Sequence, residues 1–264
     1  MSESTSNNRL AALVTGSGTR LGRQFALHLA SKGYDIALHC NRSKEPAVEV
    51  AKEIQALGVE CEIFQANFAD RFDAASFVSR IVQRFPRFAF VINSASVYDG
   101  VSTEDTDRDL LELQFQVNCF APYLITKYFA KHVQGSASVA QGQVINIIDN
   151  KVAYNQYHYS AYLLSKKSLA DFTKIAAMEY APSLRINGIA PGVVLPMDSR
   201  TSDYIQWRIE GIPLHKKGNP NHLLQALEYL RSNDFVCGQI LVVEGGESEN
   251  KIGRNAVNYS PESS

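Results

Sequence analysis

Tyr162 and Lys166 stand four residues apart in Tyr-Leu-Leu-Ser-Lys, inside a run from about Tyr157 to Tyr180 that reads as one helix. Leu163, Leu164, Leu169, Phe172, Ile175 and Met178 recur there at helical intervals. Residues at i and i+4 share a helix face, so the phenol and the ammonium are neighbours. A free phenol titrates near ~10 and is an inert acid at neutral pH. A cation beside it favours the phenolate and eases proton exchange. Just upstream, Gln143–Ile148 is an apolar run of buried-strand type that ends at Asp149. A carboxylate at a strand end, facing a Tyr/Lys pair on the next helix, forms an acid–base site. Tyr-x-x-x-Lys also arises by chance on helices, and an Asp before a helix also serves as a cap, so the context must carry the reading.

That context begins at the other end of the chain. Leu10–Thr15 is a short apolar strand, followed at once by Gly16-Ser-Gly-Thr-Arg-Leu-Gly22 and a helical pattern from Leu21 to about Ser31. Strand, glycine-rich turn and helix together make a dinucleotide fingerprint, because glycines let backbone approach a pyrophosphate and the helix N-terminus presents free N–H groups. A second strand, Asp35–His39, leads into Cys40-Asn-Arg-Ser43. No acid stands there before Glu45 to bind a ribose 2′-hydroxyl, whereas Arg42 with Ser43 suits the 2′-phosphate of NADPH.

The alternation continues: helix 47–57, strand 60–66, helix 72–85, strand 88–93, a long helix from about Asp109 to Val133, strand 143–148, helix 157–180, strand 185–190, helix 222–231 and strand 239–243. Strands alternating with helices require right-handed crossovers, and the expected fold is a single-domain α/β Rossmann-type doubly wound parallel sheet of about seven strands. Residues 1–8 read as a disordered lead-in, 9–247 as the domain and 248–264 as a polar tail. Val193–Asn221 carries no clear pattern; its place after a strand's carboxyl end suits a substrate lid, and a plain connection fits equally well.

With 264 residues and 45% hydrophobic composition the chain can build a large core, and a formal net charge of −1 gives no support to nucleic-acid binding. No apolar run approaches the ~18 residues of a membrane span. Cys40, Cys61, Cys119 and Cys237 are scattered without a Cys-x-x-Cys pair, as expected of a reducing cytoplasm, and the six histidines lack metal-ligand spacing. No metal is expected.

Taken together these motifs resemble the short-chain dehydrogenase/reductase family over roughly Leu10 to Glu247. Thr15-Gly16-x-x-x-Arg20-x-Gly22 is similar to its cofactor motif, with Arg20 where most members carry a glycine. Asn93-Ser-Ala-Ser96, Asn118, the Tyr162/Lys166 pair, Pro191-Gly192 and Glu244-Gly-Gly246 match further motifs in order. Asp149 departs from the family's usual Ser thirteen residues before the Tyr. With Arg20 and the His39-x-x-Arg42-Ser43 segment, it resembles the pteridine reductase branch, including dihydromonapterin reductases.

The resemblance implies Asp149, Tyr162, Lys166 and Asn118 as catalytic residues. It implies a cofactor site at Gly16, Thr19, Arg20, Leu21 and Gly22, with His39, Asn41, Arg42 and Ser43 near the 2′-phosphate and Asn67 and Phe68 near the adenine. Asn93, Ser94, Ala95, Ser96, Lys166, Pro191, Gly192 and Val193 complete that site. Asn67 replaces a more usual Asp, and Val194 a frequent Ser. Substrate contacts are implied at Arg20, Ser96, Tyr98, Asp149, Tyr162, Leu195 and Trp207, with Tyr98 as the ring that stacks a pterin on the nicotinamide. The implied assembly is a homotetramer through helices 109–133 and 157–180, where Phe115, Tyr128, Phe129 and Tyr180 face either a partner or the core.

The chemistry of Asp149 points the same way. Ketone reduction builds negative charge on oxygen, which a carboxylate opposes; C=N reduction needs a proton at nitrogen, which a carboxylate favours. The expected activity is NADPH-dependent reduction of a pteridine C=N bond in a dihydropterin or dihydrofolate. A carbonyl reductase of the same family and a non-catalytic NADP(H)-binding scaffold are the alternatives.

Overall fold

The computed structural model describes residues 9–196, 200–250, 254 and 259–260. The expected disordered lead-in 1–8 and most of the tail beyond residue 250 lie outside the described residues. Seven parallel strands form one sheet in the order β3-β2-β1-β4-β5-β6-β7. They are β1 (Ala11–Val14), β2 (Asp35–Cys40), β3 (Cys61–Gln65), β4 (Phe88–Asn93), β5 (Gly142–Ile147), β6 (Leu184–Pro191) and β7 (Ile240–Val243). The chain winds outward from β1 to β3, then returns to start β4 on the other side of β1, which opens a crevice at the carboxyl ends of β1 and β4. The register aligns those ends: Val14 pairs with Leu38 and Ile92, Asn93 with Asn146, and Ile147 with Ile189.

Both faces of the sheet are covered, so the strands read as near-continuous apolar runs. On one face α1 (Arg20–Ser31), α2 (Lys44–Ala56) and α8 (Pro220–Ser232) bury Phe25, Leu29, Ile54, Leu223 and Leu227 against Ile36, Leu38 and Ile92. On the other, α3 (Ala74–Arg84), α5 (Ala121–Gln134) and α6 (Ser160–Tyr180) bury Phe77, Phe129 and Leu169 against Phe88, Val144 and Ile186. No helix among the described residues is long and apolar enough to cross a membrane.

Three expectations are corrected. The single helix over 109–133 is α4 (Arg108–Phe115), a π-helical turn at Gln116–Phe120 and α5 in succession. Helix α6 starts at Ser160, not Tyr157, because His158 holds a left-handed backbone, φ +63°. Within 193–221 a helix appears, α7 (Ser202–Glu210), whose first turn is capped by Thr201 accepting from the Tyr204 N–H at 3.2 Å. Of the four residues named for an interface, Phe129 is fully buried in the core. The strongly exposed apolar side chains of these helices are instead Phe120 and Tyr123 near the start of α5, and Leu164, Ile175 and Met178 on α6.

Candidate active site

The carboxyl ends of the strands surround a cleft of about 930 Å³. At its centre lies the trio read from the sequence. Helix α6 packs on β5 and β6, and its inward face carries Tyr162 and Lys166, both almost fully buried. Asp149 follows β5 and opens a 3₁₀ turn, Asn150–Ala153. Its Oδ1 accepts from the Lys151 N–H at 2.9 Å, and its Oδ2 accepts from the Tyr162 hydroxyl at 2.7 Å. The capping role and the active-site role thus belong to one carboxylate, each oxygen with its own donor. The cap fixes the geometry of the second bond.

The expected relation between Tyr162 and Lys166 is corrected. The phenol is pushed well above its ordinary value, first by burial and then by the charge and hydrogen bond of Asp149. Its hydroxyl stays protonated in a carboxylate's grip. Lys166 donates to the Ile147 carbonyl at 2.9 Å, and burial lowers its ammonium to about 8 although Asp149 pulls the other way. An ammonium has three donors, so further donors remain for ligand hydroxyls in the cleft it lines.

The glycine-rich turn after β1 forms the opposite wall. Thr19 precedes α1 without making a side-chain cap, and no acid occupies the first turn, so that helix end presents free N–H groups and an uncompensated positive dipole. A Cβ on Gly22 would lie 2.2 Å from the Gly16 carbonyl oxygen, and one on Gly16 (φ +65°) 2.9 Å from Ala95 Cα. These features fit a dinucleotide pyrophosphate. Arg20 holds φ +51°, a left-handed conformation that explains why a glycine is usual there; the strain is about 1–2 kcal/mol. Its guanidinium reaches across the cleft to the Leu195 carbonyl. Thr15 Oγ1 accepts from the Ser94 and Ala95 N–H groups at 2.9 and 3.0 Å, tying the β4 loop to the β1 loop.

Arg42 and Ser43 line the cleft beyond β2, with Arg42 exposed, as a 2′-phosphate site requires. Asn41 donates to Asn67 at 2.9 Å, and Asn67 donates to Asp70 at 2.7 Å, forming the rim beside Phe68. His39 is a correction. Its Nδ1 accepts from the Gly16 N–H at 3.0 Å, so its Nε2 carries the proton toward the Ala66 carbonyl at 3.1 Å. The ring stacks on Phe68 at 4.1 Å, and burial lowers its pKa to about 4. It is a neutral strut for the glycine turn and offers no charge to a phosphate.

This strut has a pH signature. Above about pH 6.5 the imidazole is neutral whether folded or unfolded. As pH falls from about 6.5 to about 4 only the unfolded chain takes up the proton, and stability drops by a total of about 3 kcal/mol. His39→Gln should lose that increment of acid sensitivity in urea unfolding; equal pH slopes in the two proteins would exclude it.

Three further site residues are relocated. Asn93 is buried and donates to Asn146 Oδ1 at 2.8 Å instead of facing the cleft. Asn118 does not line the cleft. Its Oδ1 accepts from Ser96 Oγ and Val97 N–H, and the two N–H groups of its Nδ2 are shared among acceptors on Val97, Gln114 and Ser165, which makes it a positioning residue for the Ser96–Tyr98 segment. The π-helical turn carries it there. Trp207 packs on Tyr204 and Tyr259, with Arg254 over its ring, away from the cleft. The other expected residues, including Leu21, Pro191, Gly192 and Val193, all line the cleft.

The sequence reading missed Lys151, Arg200, Tyr204 and Arg208, which line the same cleft. Lys151 was signalled by its place two residues after Asp149. Arg208 is almost fully buried and donates to Glu247 Oε1 at 2.5 Å, and Glu247 also accepts from Asn150 at 2.9 Å. Glu247, the last residue of the expected domain, is thus a buried anchor, and Glu247–Asn250 forms the short helix α9 against the Asn150–Ala153 turn, running three residues into the expected polar tail.

Comparison with known proteins fits this architecture. The family description "short chain dehydrogenase" matches residues 10–204. An uncharacterized oxidoreductase, YmfI of Bacillus subtilis, is 32% identical over 241 residues, covering 89% of this chain and 97% of that one. The 3-oxoacyl-[acyl-carrier-protein] reductase FabG of Staphylococcus aureus is 28% identical with the same coverages. Among solved structures, the FolM alternative dihydrofolate reductase 1 of Brucella suis in complex with NADP superposes with a TM-score of 0.85 at 27% identity, covering 92% of this chain and 96% of that one. That of Brucella canis complexed with NADP gives 0.84 at 25% identity over 98% and 99%. Sheet order, glycine turn, Tyr/Lys pair and these matches lead to one assignment: the chain is an oxidoreductase of the short-chain dehydrogenase family.

Proposed function

We propose that this oxidoreductase uses NADPH to reduce a pteridine C=N bond, converting a dihydropterin or dihydrofolate to its tetrahydro form. The observation that carries this reading is the 2.7 Å hydrogen bond from the Tyr162 hydroxyl to Asp149. The structural likeness to dihydrofolate reductases complexed with NADP supports both substrate class and cofactor. Arg42 and Ser43, with no acid at the β2 end, favour the phosphorylated dinucleotide.

When bound, the reduced nicotinamide supplies a hydride. The chain's own residues handle position and proton. Lys166, tethered to Ile147, keeps free donors that would hold ribose hydroxyls of the bound cofactor. Tyr98 lines the cleft and stacks on Tyr159 at 5.0 Å, which leaves at most one ring face for a planar heterocycle. Asp149 makes the cleft favour a positive charge on the reacting nitrogen, and Tyr162 holds the proton at its phenolic oxygen, in contact with that carboxylate. The same charge opposes an oxyanion, which disfavours simple ketones.

The test is a steady-state assay with NADPH against dihydrobiopterin, dihydromonapterin, dihydrofolate and simple ketones. Turnover of ketones without turnover of any pterin would overturn the reading in favour of a carbonyl reductase, a second reading favoured by the likeness to the 3-oxoacyl reductase. Quenching of NADPH fluorescence without turnover of either class would indicate a scaffold. A homotetramer joined through the exposed apolar residues of α5 and α6 is also proposed; a monomer by light scattering would dismiss it.

A further inference from the structure

The charges lining the cleft are lopsided. Asp149 is the one carboxylate among the described lining residues, against six cations: Arg20, Arg42, Lys151, Lys166, Arg200 and Arg208. Arg20 and Arg42 belong to the glycine turn and the β2 end, where cofactor phosphates account for them, and Lys166 is tied to Ile147. Lys151, Arg200 and Arg208 remain. They come from the turn after β5, the start of the α7 segment and α7 itself, and the cofactor and proton chemistry call on none of them.

Lys151 is the least expected of the three. It is only 6% exposed, and its ammonium makes no contact ion pair among the described residues, although the charge of Glu247 acts on it from farther off. Its Nζ donates to the Tyr98 hydroxyl at 3.3 Å and lies 5.3 and 5.4 Å from the ring centroids of Tyr98 and Tyr159. Aromatic faces and one phenol compensate a buried cation poorly compared with an anion. Arg208, 5% exposed, pairs with Glu247 through one nitrogen and also hydrogen-bonds the Tyr204 side chain, while its Nε is buried without a partner. Arg200 lies over the Tyr204 ring at 5.1 Å. A buried ammonium without an ion pair, a neighbouring guanidinium with one buried N–H unpartnered and a third cation, in one cleft beside a stacked tyrosine pair, suit an aromatic ligand that carries negative charge.

We propose that Lys151, Arg208 and Arg200 form a carboxylate-recognition subsite beyond the reacting centre, so that the preferred substrate is a dihydropterin with an anionic aromatic side chain of the benzoylglutamate type, not one with a neutral hydroxyalkyl chain. This rests on the pteridine reading above and narrows its substrate class. Tyr98 carries the heterocycle, and the side chain extends past Lys151 toward α7. No bond is made or broken at this subsite; its contribution is to affinity and orientation.

The experiment compares kcat/KM for dihydrofolate and dihydrobiopterin in the wild type, Lys151→Gln and Lys151→Arg, with near-ultraviolet circular dichroism to verify folding. Dihydrofolate should be preferred by about tenfold or more, the range of one charge-assisted hydrogen bond. Lys151→Gln should erase most of that preference through KM, Lys151→Arg should restore it, and raising KCl from about 0.05 to about 0.5 M should weaken it. Equal use of the two pterins, or a preference that survives Lys151→Gln, would overturn the subsite while leaving pteridine reduction intact. If neither pterin turns over, the pteridine reading itself fails. Calorimetry of p-aminobenzoylglutamate binding to the NADP-saturated protein then reads the subsite alone: binding that weakens about tenfold in Arg200→Gln supports it, and no binding to the wild type rejects it.

Discussion

Asp149→Asn is expected to lower kcat for dihydropterin reduction by about 100-fold or more, the range for loss of a positioned acid–base group. The substitution is nearly isosteric. An amide oxygen still accepts either the Lys151 N–H or the Tyr162 hydroxyl, so the turn and the phenol stay close to their places. What disappears is the negative charge that favours a protonated nitrogen and holds the phenol in its neutral form. NADPH binding should change little, because Asp149 makes none of the contacts that shape the glycine turn. Simple ketones, if accepted at all, should be reduced no more slowly than by the wild type, since the oxyanion no longer meets a carboxylate. Rapid-mixing measurement of hydride transfer separates these effects. A variant within about threefold of wild type on every pterin would remove Asp149 from the chemistry; general acid–base groups contribute far more than that.

The second large effect is expected at the opposite wall. Gly22→Ala places a methyl group 2.2 Å from the Gly16 carbonyl oxygen and within 2.9 Å of Ser17 Cα. Both neighbours are backbone, so no side chain can swing aside. The glycine turn must move away from α1, and the N–H groups that converge on a pyrophosphate lose their alignment. Loss of two charge-assisted hydrogen bonds amounts to about 3–6 kcal/mol, a weakening of NADPH binding by about 10²–10⁴-fold. Overpacking adds about 1–3 kcal/mol of destabilisation. Fluorescence titration reads the first effect and thermal unfolding the second. An unchanged NADPH affinity would show that the turn does not carry the pyrophosphate.

What could be read in the chain without coordinates follows a physical division. Buried parallel strands declare themselves as short apolar runs, which is why Phe88–Asn93 and the Asp149 strand end were found nearly to the residue. Helix α7 was missed because Ser202–Glu210 interleaves charged and aromatic residues, and only Arg208 among them is fully buried. A π-helical turn keeps the apolar pattern of the helices on either side, so Asn118 looked like one residue in a single long helix. His39 was identified as a site residue and given the wrong task. Its position beside Arg42 suggests phosphate, but burial on β2 and the Gly16 N–H donated to its Nδ1 keep it neutral. Glu247 reads only as the last residue before a polar tail; its partner Arg208 lies 39 residues away and no local rule connects them. Chemistry that depends on residue identity at strand ends was legible, and chemistry that depends on long-range pairing was not.

That last pairing also bears on how the protein is made. Asn150, adjacent to Asp149, is held by a side chain 97 positions later. At elongation rates of about 5–20 residues per second, a nascent chain waits about 5–20 s between the synthesis of the turn and the arrival of its clasp. During that interval the residues of β1–β3 have already been synthesised, while the contact from Glu247 to Asn150 is absent. The strands β1–β3 and their glycine turn are therefore synthesised well before Glu247 can close on the turn that follows Asp149.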